Sequence, residues 1–292
     1  MTNQLYDLYR RNLPDIIRSE EKVKEILDNK QNHHIYIYKE NNLAGVSIIN
    51  ENTIYLLCVD KPCQNQGIGT RLLSQSEEYI FSKGHEKVTL GAGKDYIIPG
   101  VPMNKKAHEF FKKRGYTHAW GETGCFDMSL NLADFNQNQN SIGDTINGIT
   151  YRWATPNDIE GVTACVKSAM EEFLQYYQDT SLYEKGSNTT VLLAVQDGEI
   201  IGTLQVAQNV EGKGIGSVGC TTTNPKHRGK GIATTMIILG TKHLKDMGLP
   251  MAFLSFTFTD IVPMYGKAGY TICMEYFKGE KVAKPFLTTV IR

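Results

Sequence analysis

No apolar run in this chain approaches the roughly 20 residues that a helix needs to span a bilayer. The opening stretch, Met1-Thr2-Asn3-Gln4-Leu5-Tyr6-Asp7-Leu8, lacks the basic-then-apolar layout of an export signal. Net charge is missing too: 31 Lys and Arg balance 31 Asp and Glu. No bulk field therefore favours nucleic acid or a membrane surface, and neither is expected as a partner. The six cysteines, Cys58, Cys63, Cys125, Cys165, Cys220 and Cys273, include no Cys-x-x-Cys pair. Scattered free thiols suit a reducing cytoplasm, which is the expected location. None of the seven histidines pairs at metal-ligand spacing. His33 and His34 are adjacent, and neighbours on a strand face opposite ways, so no metal is expected.

Two nucleotide signatures are also lacking. There is no G-x-x-x-x-G-K-[ST], because Gly229-Lys230 is followed by Gly231. Gly214 to Gly219 does fit G-x-G-x-x-G, but a strand pattern follows it. The dinucleotide fingerprint needs a helix there.

What is present is a chain of 292 residues, 41% hydrophobic and 21% charged, which suits two globular domains of ordinary size. Its most informative stretch is Thr221-Thr222-Thr223-Asn224-Pro225-Lys226-His227-Arg228-Gly229-Lys230-Gly231-Ile232-Ala233-Thr234. A β-prone run meets a proline, then a basic glycine turn, then a helical pattern. Such a turn aims several backbone N–H groups at one point and forms an anion site.

Hydrophobic periodicity places the other elements. Residues 4–29 read as helix interrupted at Pro14, and 34–38 with 43–49 as a hairpin around Lys39-Glu40-Asn41-Asn42. A strand is expected over 53–59, a helix over 67–83, a strand over 88–90 and a helix over 104–114. Between the last two lies an unusual loop, 91–102, with three glycines and two prolines. Two strands are expected within 116–132. The Asn-Gln-Asn-Gln-Asn tract marks a linker at 136–147, separating a domain 1–135 from a domain 148–292. In the second domain, strands are expected at 149–153, 191–195, 200–207, 215–223, 251–256, 270–277 and 285–291. Helices are expected after Thr155-Pro156, at 231–247 and at 261–268. The acidic, aromatic stretch 171–183 reads as a mobile second helix or lid.

The halves repeat. Gln64-Asn65-Gln66-Gly67-Ile68-Gly69 aligns with Arg228-Gly229-Lys230-Gly231-Ile232-Ala233, and Gly84 aligns with Gly248 at the same offset. After the loop, Phe111-Lys112-Lys113-Arg114-Gly115-Tyr116 pairs with Tyr265-Gly266-Lys267-Ala268-Gly269-Tyr270. This is a tandem duplication. Each copy carries [Gln/Arg]-x-x-Gly-x-[Gly/Ala] between strand and helix, followed by [Phe/Tyr]-x-x-x-Gly-Tyr.

That order resembles the GNAT acetyltransferase superfamily in tandem form. The fold it implies is α/β (α+β): two domains, each a mixed, mostly antiparallel twisted sheet flanked by helices. The cosubstrate it implies is acetyl-CoA. By position, Thr221, Thr222 and Thr223 would meet the pantetheine arm. Arg228, Gly229, Lys230, Gly231, Ile232, Ala233 and Thr234 would hold the pyrophosphate. The first-half counterparts are Leu57, Cys58 and Val59, then Gln64, Asn65, Gln66, Gly67, Ile68, Gly69 and Thr70, with Asn104 at a CoA-arm position. In many members a tyrosine opening the second element protonates the departing thiolate. Tyr265 stands there in the second half, and Phe111, with no proton to give, in the first. The resemblance therefore places chemistry in the second half and leaves the first degenerate or supporting.

The acceptor the resemblance implies is a small-molecule amine. Loop 91–102 and residues 110–116 resemble bacterial glucosamine and glucosaminide N-acetyltransferases, which are also tandem proteins, as is mycothiol synthase. Glu171, Glu172, Tyr176, Tyr177, Asp179 and Asp260 are the candidate acceptor-site residues. An acetyltransferase for another amine (an antibiotic, a polyamine or a peptide N-terminus) and a non-catalytic acyl-CoA-binding regulator are the alternatives. The expected state is a monomer or homodimer.

Overall fold

Leu5, Leu8 and Tyr9 share one helical face, and Val23, Ile26 and Leu27 share another, so the first 28 residues fold as two amphipathic helices. These are α1 (Thr2–Asn12) and α2 (Glu20–Asp28), separated around Pro14, with the Ser19 side chain accepting from the Lys22 N–H as the second cap. The computed structural model describes residues 2–92, 96–104, 107–136, 140–212 and 214–283. Strands β1 (His33–Lys39) and β2 (Asn42–Asn50) form the expected hairpin, its turn made by Glu40 and Asn41 at φ 51 and 63. Then come β3 (Thr53–Val59), α3 (Ile68–Ser82), β4 (Lys87–Leu90), β5 (Val101–Pro102), α4 (Ala107–Lys112) and β6 (Thr117–His118). In loop 91–102, Ile97 and Ile98 are buried. The Lys278 ammonium donates to the Pro99 carbonyl. Gly100 lies so close to the chain that a Cβ there would stand 2.7 Å from the Phe277 carbonyl oxygen. Residues 97–100 form a packed plug.

The later elements are β7 (Cys125–Asn131), β8 (Thr145–Ile146), β9 (Ile149–Trp153) and α5 (Ile159–Ala169). Before α5, Thr155 and Asp158 form a capping box, and Arg152 grips Asp158 through two hydrogen bonds of 2.7 and 2.9 Å. Stretch 171–183 folds as two 3-10 turns, Glu171–Tyr176 and Thr180–Tyr183. The expectation of a mobile helix or lid is corrected here, because Tyr177, Leu182 and Tyr183 pack into a core with Val162, Val166, Val191 and Leu193. Next are β10 (Thr189–Gln196), β11 (Glu199–Ala207), β12 (Ile215–Thr223), α6 (Ile232–Asp246), β13 (Met251–Phe258) and α7 (Val262–Gly266). Strands β14 (Thr271–Phe277) and β15 (Gly279–Val282) follow. The strand expected at 285–291 lies outside the described residues.

Backbone contacts group Met1–Cys125 with the segment from Met274 as one unit, and Phe126–Cys273 as the other. The first sheet runs β1-β2-β3-β4-β15-β6, and the strands lying wholly in the second unit run β13-β12-β11-β10-β9-β8. The expected division into 1–135 and 148–292 kept every strand with its own half. Instead β15 pairs with both β4 and β6, through Lys281 opposite Val88 and Gly279 opposite His118, while β7 lies between β13 and β14. Of the Asn-rich tract, Asn136 and Asn140 are exposed, and 137–139 lie outside the described residues.

Candidate active site

Each unit contains a parallel strand pair that leads into a motif turn, and in each the pairing is brief. In the first, β3 and β4 pair at Thr53–Thr89 and Ile54–Leu90. In the second, β12 and β13 pair at Ile215–Met251 and Gly216–Ala252. Beyond these residues the parallel strands separate, and each of β3 and β12 leads into the motif turn.

The two turns are built alike. Asp60 and Asn224 occupy equivalent places, and the side chain of each caps a 3-10 turn, Lys61–Cys63 and Pro225–His227. Gln64 Nε2 donates to the Val59 carbonyl at 2.9 Å, and Arg228 Nε donates to the matching Thr223 carbonyl at 3.4 Å. The backbone is left-handed at Asn65 and Gly67 (φ 60 and 81) and again at Gly229 and Gly231 (φ 78 and 78). Such alternation turns consecutive N–H groups the same way. Helix α6 makes its first backbone bond from Thr235 to Gly231, and α3 from Arg71 to Gly67. The N–H groups of residues 232–234 and 68–70 thus have no partner within their helices. Gly67 and Gly231 offer no side-chain cap. A Cβ at Gly67, Gly229 or Gly231 would meet nothing within 4 Å. Both turns are open to an anion.

In the second unit β12 carries a bulge at the point where it has left β13. Thr203 faces Thr222 and Gln205 faces Gly219, so Cys220 and Thr221 together oppose Leu204. Cys220 takes a φ of 47, and Phe256 on the facing strand takes 64. Buried Asp127 accepts from the Phe256 N–H at 3.1 Å and from the Ser255 hydroxyl at 2.9 Å. The Tyr265 ring, buried and edge-on to Tyr270, brings its hydroxyl to 3.5 Å from the Thr221 hydroxyl. Burial pushes the Tyr265 phenol above its ordinary pKa, which keeps the proton on the oxygen. The Thr223 hydroxyl beside the turn is buried without a hydrogen-bond partner.

Residues 6–130 match the model of an acetyltransferase (GNAT) domain, and residues 150–273 match a second one. The chain belongs to the GNAT acetyltransferase superfamily. It is a tandem member and an N-acetyltransferase by class. Three solved structures share the fold. The glucosamine N-acetyltransferase region of a fungal multi-domain β-N-acetylglucosaminidase is 18% identical, with a TM-score of 0.78 over 96% of this chain. This chain spans 37% of that fungal protein. A GCN5-related N-acetyltransferase from Sphaerobacter thermophilus is 19% identical, with a TM-score of 0.71 over 97% of this chain and 92% of its own. A tandem GNAT protein from the clavulanic acid biosynthesis pathway is 14% identical, with a TM-score of 0.66 over 97% and 95%. No curated protein sequence matches.

GNAT acetyltransferases take acetyl-CoA, and both turns fit its phosphates by the geometry above. The first unit also holds an open cleft of about 600 Å³ lined by Leu57, Cys58, Val59, Gln64, Asn65, Gly67, Gly69 and Thr70 of the expected set. Phe111 lines it as well. Asn104 is exposed and instead reaches Asp15 at 3.4 Å. Gln66 is bonded to Lys39 and to the Pro62 carbonyl. Sequence reasoning missed Arg114. Its guanidinium stacks 3.7 Å from the Phe110 ring centre and donates to the Thr70 hydroxyl at 2.7 Å, over the first turn of α3. It sits in the cleft wall, where its lone signal was the end of a Lys-Lys-Arg run.

The acceptor-site expectations divide. Tyr177 is buried, with its hydroxyl on the Cys220 carbonyl at 2.5 Å, which removes it from any acceptor wall. Asp179 caps the Thr180–Tyr183 turn by accepting from the Ser181 N–H. That backbone bond lowers its pKa. Glu171, Glu172, Tyr176 and Asp260 are exposed. Among the described residues, no group of three or more His, Cys, Asp or Glu is placed to hold a metal, and no helix is long and apolar enough to cross a membrane.

Proposed function

We propose that the second unit catalyses transfer of the acetyl group of acetyl-CoA to a primary amine. The observation that carries this reading is the Tyr265 hydroxyl beside Thr221, on the bulged strand between the splayed pair β12 and β13. The neutral amine nitrogen attacks the thioester carbon, and its lone pair forms the C–N bond. Backbone N–H groups at the bulge stabilise the oxygen that gains charge. The C–S bond then breaks, and Tyr265 gives its proton to the leaving sulfur. The attacking nitrogen releases a proton to water. Burial keeps Tyr265 in its acid form until that moment.

Glucosamine or a glucosaminide, acylated at its 2-amino group, is the acceptor we favour. The resemblance of loop 91–102 and residues 110–116 to glucosamine N-acetyltransferases supports it. So does the description of the fungal structure. The site of action we propose is the cytoplasm. An acceptor panel of glucosamine, its oligosaccharides, polyamines, aminoglycosides and peptides, read by thiol release from acetyl-CoA, tests this. Turnover with the amino sugars is expected. Turnover confined to another class would replace the acceptor, and none with any amine would end the catalytic reading.

A second reading concerns the first unit, where the cleft and Arg114 provide for binding. Phe111 stands where Tyr265 stands in the second unit and supplies no proton. The first unit on this reading binds acyl-CoA without turning it over.

A further inference from the structure

The second unit contains a chain of buried hydroxyls that the acetyl-transfer reading does not use. Thr203 is fully buried, Thr222 is 3% exposed and Tyr177 is 3% exposed. Thr203 Oγ1 donates to Tyr177 Oη at 2.9 Å, and Tyr177 Oη donates to the Cys220 carbonyl at 2.5 Å. Thr203 and Thr222 hydroxyls lie 2.7 Å apart. A hydroxyl has one hydrogen to give, so Thr203, already committed to Tyr177, must accept from Thr222. The relay therefore runs one way: Thr222, Thr203, Tyr177, Cys220 carbonyl.

Its end point is unusual. Cys220 has a φ of 47, which a residue with a Cβ adopts only when its surroundings hold it there. The Tyr177 bond supplies that hold. Tyr177 is itself pinned, because its carbonyl accepts from the Tyr183 hydroxyl at 3.1 Å and its ring belongs to the core around Val162 and Leu193. The residue after Cys220 is Thr221, whose hydroxyl meets Tyr265. A fixed carbonyl at Cys220 sets the peptide that follows, and with it both the Thr221 N–H and the Thr221 side chain.

The first unit is a built-in control. The register Gly45–Val59 and Val46–Cys58 corresponds to Gly202–Thr223 and Thr203–Thr222. Val46 and Cys58 thus occupy the places of Thr203 and Thr222, and the relay has no counterpart. The ladder there continues unbroken through Ser47–Leu57 and Ile48–Leu56, with the irregularity falling beyond Ile48. Without the relay, the bulge is absent from the equivalent residues.

We infer that Tyr177 is a positioning residue for acetyl transfer, holding the Cys220–Thr221 bulge in the conformation that presents its backbone to the thioester and its Thr221 hydroxyl to Tyr265. This rests on the second unit being the catalytic one. It makes Tyr177 a determinant of rate, although it touches neither substrate.

The test is a double-mutant cycle on the full chain, with the fastest amine of the acceptor panel and acetyl-CoA as substrates. Tyr177→Phe removes one oxygen from a packed ring. It is expected to lower kcat at least tenfold, with acetyl-CoA affinity by titration calorimetry changed less than threefold. Tyr177→Phe added to Tyr265→Phe is expected to cost little beyond Tyr265→Phe alone, since both act at the same step. Thr203→Val is expected to slow turnover and Thr203→Ser to restore it, which covers the case of a Tyr177 variant that folds poorly. Unchanged kcat in Tyr177→Phe, fully additive losses where Tyr265→Phe is itself slow, or failure of Thr203→Ser to rescue would each overturn the inference. If Tyr265→Phe is neutral while Tyr177→Phe is slow and Thr203→Ser rescues, the proton-donor reading falls and the positioning role of Tyr177 stands.

Discussion

Tyr265 Oη lies 3.5 Å from Thr221 Oγ1, at the long limit of a hydrogen bond. The phenol is thus held near the bulged strand without being consumed by a strong local partner, and burial raises its pKa. It is therefore protonated at neutral pH and free to turn toward the leaving sulfur.

The pH dependence of turnover follows. A phenol whose pKa lies above its ordinary value of about 10 stays protonated through neutral pH and loses its proton only beyond that range. Turnover should rise with pH as the amine deprotonates, hold a plateau, and fall only above about pH 10. Tyr265→Phe should lower kcat by about 10²-fold and abolish the alkaline fall. A full pH–rate profile of both proteins checks this.

Acetyl-CoA should bind at two places per chain. Arg114 reaches Thr70 at 2.7 Å over the first turn of α3, and a charge-assisted bond from it to a bound phosphate would contribute about 1.5–3 kcal/mol. Arg114→Met should weaken one of the two sites tenfold or more and leave kcat unchanged. Titration calorimetry with CoA, analysed for two sites, reads the outcome.

Asp158 is held by Arg152 and by Thr155, and those bonds keep its carboxyl below the usual carboxylate range. Its stabilising contribution is present above the unfolded pKa of about 3.9 and is lost as pH falls through the lower folded value. Asp158→Asn should destabilise the protein by about 1–2 kcal/mol at pH 7. The difference should shrink as the pH drops below about 4. Urea melts at several pH values measure it.

Lys278 gives a dependence of the same sign in a more alkaline window. Burial brings its ammonium down to about 8. The unfolded chain therefore binds the extra proton between about pH 8 and the ordinary lysine value near 10.4, and stability rises with pH across that window. Lys278→Met should abolish the rise. Gly100→Ala, which places a Cβ against the Phe277 carbonyl, should cost about 1–3 kcal/mol by the same melts.

Much of this was readable from residues because glycine chemistry is local. The paired turns followed from Gly67 and Gly231, and only Asn65 in place of Gly229 needed the structure to show that it takes the same left-handed backbone. Tyr116 and Tyr270 proved equivalent in bonding as well as in spacing. Their hydroxyls meet Glu77 on α3 and Thr241 at the matching position of α6. Strand pairing is non-local, so nothing near β7 or β15 announced their neighbours. Tyr176 and Tyr177 show another limit. They are adjacent aromatics of equal standing in a sequence, yet one is exposed and the other buried, because a 3-10 turn sends consecutive side chains in different directions. Thr203 gave no sign either, since its meaning depends on the strand beside it.

The placement of β15 bears on how the protein is made. Lys87 and Glu280 meet at 3.1 Å across 193 residues of sequence, on strands of the same sheet. A ribosome emits five strands of that sheet, β1 to β4 and β6, long before β15. Until then β4 has an open edge on the side where β15 will pair, a hazard for unwanted strand pairing. Closing so long a loop is slow. The Phe126–Cys273 unit is complete in sequence sooner. The sheet begun first thus cannot be completed until residues 279–282 are made.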